Sequence, residues 1–174
     1  SFGGGINEYK GDNFGTIIWN SFQIEIPIDT NYYQSSGNKK EYSTYAKAQY
    51  EINKKWIAFA DLQYRNVLHK INGLTSDLKN VNIDESYSFF NPKAGLTFIL
   101  NDKNSFYGSV AIANREPNRD DLTKNPIQPK PEQLIDFEIG HRFKNEKFNS
   151  SLNFYFMSYN NQLVLTGAID DVGD

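Results

Sequence analysis

The chain has 174 residues, 39% hydrophobic, 15% aromatic and 22% charged, with a net charge of −3 at pH 7 and no cysteine. The length suits one domain, while the missing cysteines exclude a disulfide framework and a thiolate metal site, and the acidic balance leaves no polybasic stripe for a nucleic acid. Mean hydropathy is −0.63, and no apolar run approaches the ~20 residues of a membrane-crossing helix, so a bilayer, if crossed, is crossed by strands.

In chain order the sequence falls into pairs of alternating segments. Residues 43–52 and 56–65 are joined by the short turn Asn53-Lys54-Lys55, and a long excursion follows over 66–90. Residues 91–100 turn through Asn101-Asp102-Lys103-Asn104 into 105–114, before a second excursion over 115–133. Residues 134–143 turn at Lys144-Asn145-Glu146-Lys147 into 148–157, after which the chain loosens. Asn, Asp and Lys suit tight turns. Short turns alternating with long loops, around strands of about 9–11 residues, describe an outer-membrane β-barrel with periplasmic turns and extracellular loops. The expected fold is all-β: an antiparallel, up-and-down segment of a transmembrane barrel with about six strands plus long extracellular loops. The strands centre near Ala48, Ala60, Leu96, Val110, Phe137 and Leu152 and pair in sequence order.

Alternation assigns the faces. Thr44, Ala46, Ala48, Tyr50 and Ile52 oppose Ser43, Tyr45, Lys47, Gln49 and Glu51; Trp56, Ala58, Ala60, Leu62 and Tyr64 oppose Ile57, Phe59, Asp61, Gln63 and Arg65. Ile135, Phe137, Ile139 and Phe143 oppose Asp136, Glu138, Gly140 and Arg142, and Phe148, Leu152, Phe154 and Phe156 oppose Asn149, Ser151 and Asn153. Every full charge in these segments keeps to the polar parity, as it must where a Lys or Arg facing lipid near the midplane costs about 2–4 kcal/mol. His141 is the one awkward outward residue, and it sits toward a turn. Tyr50 and Trp56, Phe106, and Phe143 with Phe148 flank the short turns, which is where an interfacial aromatic girdle belongs; aromatic cross-strand pairs also stabilise any antiparallel sheet.

Gly3-Gly4-Gly5-Ile6-Asn7-Glu8-Tyr9-Lys10-Gly11-Asp12-Asn13-Phe14-Gly15, followed by Ile18-Trp19, resembles an extracellular stretch of TonB-dependent outer-membrane receptors of Bacteroidetes type. Asp61-Leu62-Gln63-Tyr64-Arg65, Phe89-Phe90-Asn91-Pro92-Lys93-Ala94-Gly95-Leu96, the run from Ala113 to Leu122, Pro131-Glu132-Gln133-Leu134 and the run from Tyr159 to Gly167 resemble further parts of the same receptors, in the same order. The resemblance implies a ligand-gated importer: a barrel of roughly 22 strands with a plugged lumen, in the outer membrane, with the plug released through TonB. Family members import iron–siderophore complexes, haem, cobalamin or glycans, and an iron–siderophore or similar metal complex is the ligand expected here. Residues 1–174 then form a partial barrel region, lacking the plug domain and the C-terminal strands. The run Asp170-Asp171-Val172-Gly173-Asp174 reads as loop, and no secretory signal opens the chain, as in an internal piece of a longer protein. The implied partners are outer-membrane lipid, the siderophore-like ligand, and TonB through the plug of the parent; no cofactor is implied.

The ligand-contact candidates are Arg115, Arg119, Tyr32, Tyr33 and Arg65. Paired guanidiniums hold anionic oxygens bidentately; an ion-pair network pinning the 115–121 stretch to the barrel wall is the favoured competing reading. Tyr32 and Tyr33, placed in a loop over 29–40, offer aromatic faces or serve as loop packing. Other clusters take bland readings. Gly3-Gly4-Gly5 lacks the helix and Lys-Ser/Thr of a phosphate loop and reads as a mobile or tightly turned loop. His69 reads as a solvated loop residue. Glu116, Asp120 and Asp121 could bind a hard cation or form a hydrolytic pair, but balancing Arg115 and Arg119 is favoured. Pro126, Pro129 and Pro131 stiffen the second half of the 115–133 excursion.

Two other classes fit part of the pattern. A soluble extracellular β-sandwich or adhesin-type module also alternates, but needs a second sheet over its apolar face and comparable loops at both ends. A carboxylate glycosidase is disfavoured, since no Ser-His-Asp order, thiol nucleophile or metal-ligand cluster is present. The chain is therefore not expected to be an enzyme. A passive porin fits the barrel class but not the ordered motifs.

Overall fold

The computed structural model describes residues 1–19, 27–125 and 127–162. Pro126, residues 163–167 of the closing motif and the run 170–174 lie outside the described residues. Seven strands form one sheet, antiparallel throughout and strictly in sequence order: β1 (Phe2–Thr16), β2 (Asn31–Asn53), β3 (Trp56–Leu74), β4 (Asn80–Asn101), β5 (Asn104–Arg115), β6 (Glu132–Lys144) and β7 (Asn149–Asn160). The expected up-and-down meander is present, with one strand more than expected and a short helix, α1 (Arg119–Lys124), between β5 and β6.

The short turns are built by one device. Asn53 Oδ1 accepts the N–H groups of Lys55 and Trp56 at 2.9 and 3.1 Å. Asn101 does the same for Lys103 and Asn104 at 3.0 and 2.9 Å, and Asn145 for Lys147 and Phe148 at 2.9 and 2.7 Å. A side-chain carbonyl thus replaces the backbone acceptor that a hairpin turn would otherwise leave unsupplied. These turns fix the register, and register fixes the faces.

Lys47 pairs with Asp61, Asp61 with Lys93, Lys93 with Ala111 and Ala111 with Asp136. Gln49, Gln63, Arg65, Glu138 and Arg142 share that parity, here named the inner face. Ala48, Ala60, Ala94, Val110, Phe137 and Phe156 make one continuous row on the opposite, outer face. Asp61 and Leu62 therefore stand on opposite sides, and Leu62, Leu96, Phe137, Ile139, Phe154 and Phe156 are exposed. A sandwich would cover these side chains with a second sheet; the described residues form a single one.

The outer apolar band has a definite height. Trp56 packs on Phe98 with ring centroids 4.8 Å apart, and Phe106 packs on His141 at 4.7 Å, with His141 Nε2 2.9 Å from Asn104 Oδ1. His141 is thereby provided for at the turn level. At the other edge lie Tyr42, Tyr64 and Phe90, all exposed. From Trp56 to Tyr64 the strand runs about 26 Å at roughly 3.3 Å per residue. Tilted by about 40°, with ring widths added, this matches a lipid-facing band about 25 Å tall.

Strands β2, β3 and β4 continue well past that band, which corrects two of the expected loops. The excursion 66–90 is mostly sheet: β3 and β4 stay paired from Arg65↔Phe89 out to Leu74↔Asn80. The expected loop at 29–40 is likewise sheet from Asn31, paired on one side with β1 and from Ser35 on the other with β3. Gly3-Gly4-Gly5 is strand as well, opposite Tyr45-Thr44-Ser43. The Tyr45 ring lies over Gly3, where any β-carbon would collide with it. Phe59 covers Gly95 and Tyr107 covers Gly140 in the same way, with the Arg142 guanidinium 4.2 Å from the Tyr107 ring. On the inner face, glycine marks where a neighbouring ring lies flat on the sheet.

Two outcomes follow. In the full-length protein, Ala60→Arg on the outer face should cost about 2–4 kcal/mol, whereas Ala111→Arg on the inner face should cost little; equilibrium unfolding from lipid vesicles measures both. Expressed alone without detergent, the 174-residue chain should aggregate, since among the described residues β1 and β7 are unpaired edges of the sheet and the outer face is a broad apolar patch. A monodisperse 20.0 kDa monomer in size-exclusion chromatography would contradict this reading of the outer face.

Candidate functional site

Beyond the apolar band, the sides exchange character. On β3, Val67, His69 and Ile71 point inward while Leu68, Lys70 and Asn72 point outward; on β4, Ile83, Tyr87 and Phe89 point inward while Asn82, Asp84 and Ser86 point outward. Lys70 Nζ meets Asp84 Oδ2 at 2.7 Å on the exposed outer side. Val67 and Ile71 are 0% exposed, and Tyr87, Phe89 and His69 are buried with them. Tyr87 and Phe89 stack with centroids 6.0 Å apart and planes 7° from parallel.

The segment between β5 and β6 is tied across this inner wall, mainly by charge. Glu116, at the first step out of β5, has its side chain only 4% exposed. It receives Lys39 Nζ at 2.6 Å and a two-pronged bond from Arg65, with Nη1 and Nη2 each at 2.8 Å. Arg65 Nη2 also reaches Glu41 Oε2 at 2.9 Å. Farther along, Arg119 donates to Ser35 Oγ at 2.7 Å and Gln128 donates to Glu85 Oε1 at 2.6 Å. The segment is thus fastened to β2, β3 and β4 at separate points.

Its local shape comes from sequence. Asn118 caps α1 by accepting Asp121 N–H at 2.8 Å, and Asp121 Oδ2 accepts Asn118 N–H at 2.8 Å, a reciprocal capping box. The helix stops after Lys124, with Asn125 extended as a residue before proline prefers.

Burial alone would raise the Glu116 carboxyl; the hydrogen bonds from Lys39, its own backbone N–H and Arg65 outweigh it and hold the group below the ordinary carboxylate range. A folded-state value below the unfolded one contributes stability that is complete above the unfolded pKa and fades as pH falls through the folded one. The fastening is therefore intact at neutral pH and released in acid.

The sequence-predicted residues are distributed as follows. Arg65 is inside the network, bound to Glu116 and Glu41. Arg119 is bonded to Ser35, and Arg115 faces Glu132 at 3.4 Å across β5 and β6. The two arginines are held by different strands. Tyr32 and Tyr33 lie on β2, not in a loop, as an edge-to-face pair with centroids 5.0 Å apart. The acids do not balance Arg115 and Arg119 as expected: Asp120 pairs with Lys124 at 3.7 Å, Asp121 caps α1, and Glu116 serves Arg65 and Lys39.

His69 is a correction too, since it is a buried residue of β3. Its Nδ1 and the Tyr87 hydroxyl are buried without a hydrogen-bond partner among the described residues, beneath the fastened segment. Part of the signal was present: Val67, His69 and Ile71, and Ile83, Tyr87 and Phe89, keep a period of two, interrupted by Leu68 on the outward side and Glu85 on the inward side.

Removing the buried acid should free the segment. Glu116→Ala removes the partner of Lys39 and one of the two carboxylates that hold Arg65, leaving Glu41. Breaking a fully buried pair costs about 3–5 kcal/mol, and the part-exposed cations here place the loss toward or below the lower end. A spin label at Ile127, 81% exposed, should then turn from restricted to fast motion. The same change should appear in the unsubstituted protein when pH drops below the ordinary carboxylate range.

Residues 1–174 match the family model described as TonB dependent receptor-like, β-barrel. No curated protein matches the chain. Among solved structures, the ferric-catecholate import receptor Fiu from K12 E. coli, in its closed form, aligns with a TM-score of 0.70 at 14% identity. The alignment covers 99% of this chain and 30% of that one. This likeness bears on the fold, and the chain spans about 30% of the length of that receptor.

Proposed function

The chain belongs to the TonB-dependent receptor β-barrel family, and we propose that it supplies barrel wall and ligand-facing extracellular structure to a receptor importing a scarce ligand, an iron–siderophore or similar metal complex. The family is one of outer-membrane transporters and not of enzymes. Energy for uptake then comes from TonB through a plug domain in the rest of the parent protein.

The observation that carries the ligand reading is the Glu116 network. A buried carboxylate holds Arg65 and Lys39 in place, and an anionic ligand presenting oxygens in the same geometry can take its position. Lifting the segment uncovers the His69 and Tyr87 polar atoms that lack partners, and frees Arg119 from Ser35. Arg115, Arg119 and Arg65 supply positive charge, and Tyr32 with Tyr33 supplies aromatic surface, for a ligand with anionic oxygens on a flat organic frame.

The test is ligand binding by the full receptor in membranes at equal receptor density. Replacing Arg115 and Arg119 together by Ala should weaken an anionic ferric siderophore by about tenfold or more, as expected when charged hydrogen bonds are lost. Tyr32→Ala with Tyr33→Ala should weaken aromatic siderophores more than aliphatic ones. Affinity unchanged in both would leave these residues as fasteners of the wall.

A further inference from the structure

The rim opposite the ligand-facing side carries a second charge pattern that the import reading does not use. Each short turn places a lysine two residues after its Asn: Lys55, Lys103 and Lys147. Lys54 and Lys144 join them, against only Asp102 and Glu146 in the same turns. All five lysines are exposed, and among the described residues none of them takes part in an ion pair.

The turns form one continuous rim. Ile99 N–H donates to Lys55 O at 2.7 Å, tying the first turn to the second, and Lys144 N–H donates to Lys103 O at 2.8 Å, tying the second to the third. Between the last two lies an open cleft of about 740 Å³ lined by Asp102, Lys103, Lys144, Asn145, Glu146 and Lys147. The level of this rim is set by the outer face. Trp56, Phe98, Phe106 and Phe148 mark where hydrocarbon gives way to headgroups, and the lysines stand one to four residues beyond the nearest of these rings, toward the depth of lipid phosphates.

We propose that this rim binds the phosphate groups of anionic phospholipids in the inner leaflet of the outer membrane, with the cleft between the β4–β5 and β6–β7 turns as its main seat. An ammonium on a flexible stem suits a phosphate approached from a moving lipid. Lysines gathered at a membrane surface attract anionic headgroups with additive strength. The Asx bonds hold the turn backbones fixed, so the ammonium groups project from a rigid base. This anchors the barrel at a set depth and orientation from its periplasmic end, independently of any imported ligand.

The test uses the full receptor in detergent, given equal amounts of phosphatidylglycerol and phosphatidylcholine with identical acyl chains, and counts retained lipids by native mass spectrometry. Phosphatidylglycerol should be retained about fivefold over phosphatidylcholine, the factor expected from one effective lysine contact. Replacing the five lysines by Gln should bring the ratio close to one, while replacing them by Arg should preserve it. Equal retention by the unsubstituted receptor, or an unchanged ratio after the Gln substitutions, would overturn the proposal. Added inorganic phosphate should lower the ratio of the unsubstituted protein toward one and leave the Gln variant, already near one, unchanged; an unsubstituted ratio that phosphate does not touch would overturn a phosphate-binding rim. Should the fivefold variant fail to give a folded, heat-modifiable barrel, Lys103→Gln with Lys147→Gln carries the same test, with the ratio at least halved.

Discussion

The structure depends on the level at which the two faces of the sheet exchange partners. Up to Arg65 and Asn66 on β3 every charged side chain points inward and the outward row is apolar; beyond it the buried apolar residues Val67 and Ile71 lie on the inward side and Lys70 on the outward side, while strand and pairing continue without a break. The cause is a change of surroundings. Within the apolar band the outside is hydrocarbon and the inside is wet, so a charge must face in. Past the band the outside is water, as the exposed Lys70–Asp84 pair shows, and the inside is covered by the β5–β6 segment. One backbone ladder serves both regimes because alternation is a property of the strand, while which parity is apolar belongs to the environment.

That reversal explains which parts of the molecule were legible in the sequence. The crossing portions, their order, their short turns and their faces all followed from alternation and charge segregation, down to the shared face of Lys47 and Asp61. The extracellular sheet did not, because a change of apolar parity looks like the end of a strand when one face is assumed to stay apolar. Val67, His69 and Ile71 continued the period, but on the side assigned to polar residues. For β1 the obstacle was different: Gly3-Gly4-Gly5 has poor strand propensity, yet it pairs with β2, Gly3 giving the Tyr45 ring a bare backbone to lie on and Gly4 the backbone at Ser43. No local signal shows that.

The candidate site was half legible for a related reason. Arg65, Arg115 and Arg119 stood out as charges of suitable type, and a pinned loop was the favoured alternative to a ligand site. The partners could not be read, because Glu116 and Arg65 are far apart in the chain and meet only once β3 and β5 are placed in one sheet. Asp120 and Asp121, adjacent to Arg119, were the obvious partners by proximity; the helix takes one as its cap and pairs the other with Lys124. Proximity in sequence lost to the needs of a helix terminus.

A segment that covers the inner wall of a conduit has to be held firmly and still be exchangeable. An apolar hold releases by exposing hydrocarbon to water, which no polar solute can offset. A buried carboxylate between Arg65 and Lys39 behaves otherwise. Simply withdrawing it is costly, because Lys39 loses its partner and Arg65 keeps only Glu41, but replacing it with another anion of similar geometry restores most of the lost interaction. If the segment opens as proposed, the barrier is high against spontaneous opening and low against opening by a ligand that carries the right charge. The small apolar cluster of Val67, Tyr87 and Phe89 is consistent with this division. It is large enough to shape the seat beneath the segment and too small to hold the segment down alone. On the proposed reading, closure through Glu116 would couple selectivity to access: the chemistry that unfastens the wall would be the chemistry that Arg65, Arg119 and Lys39, once uncovered, are able to bind.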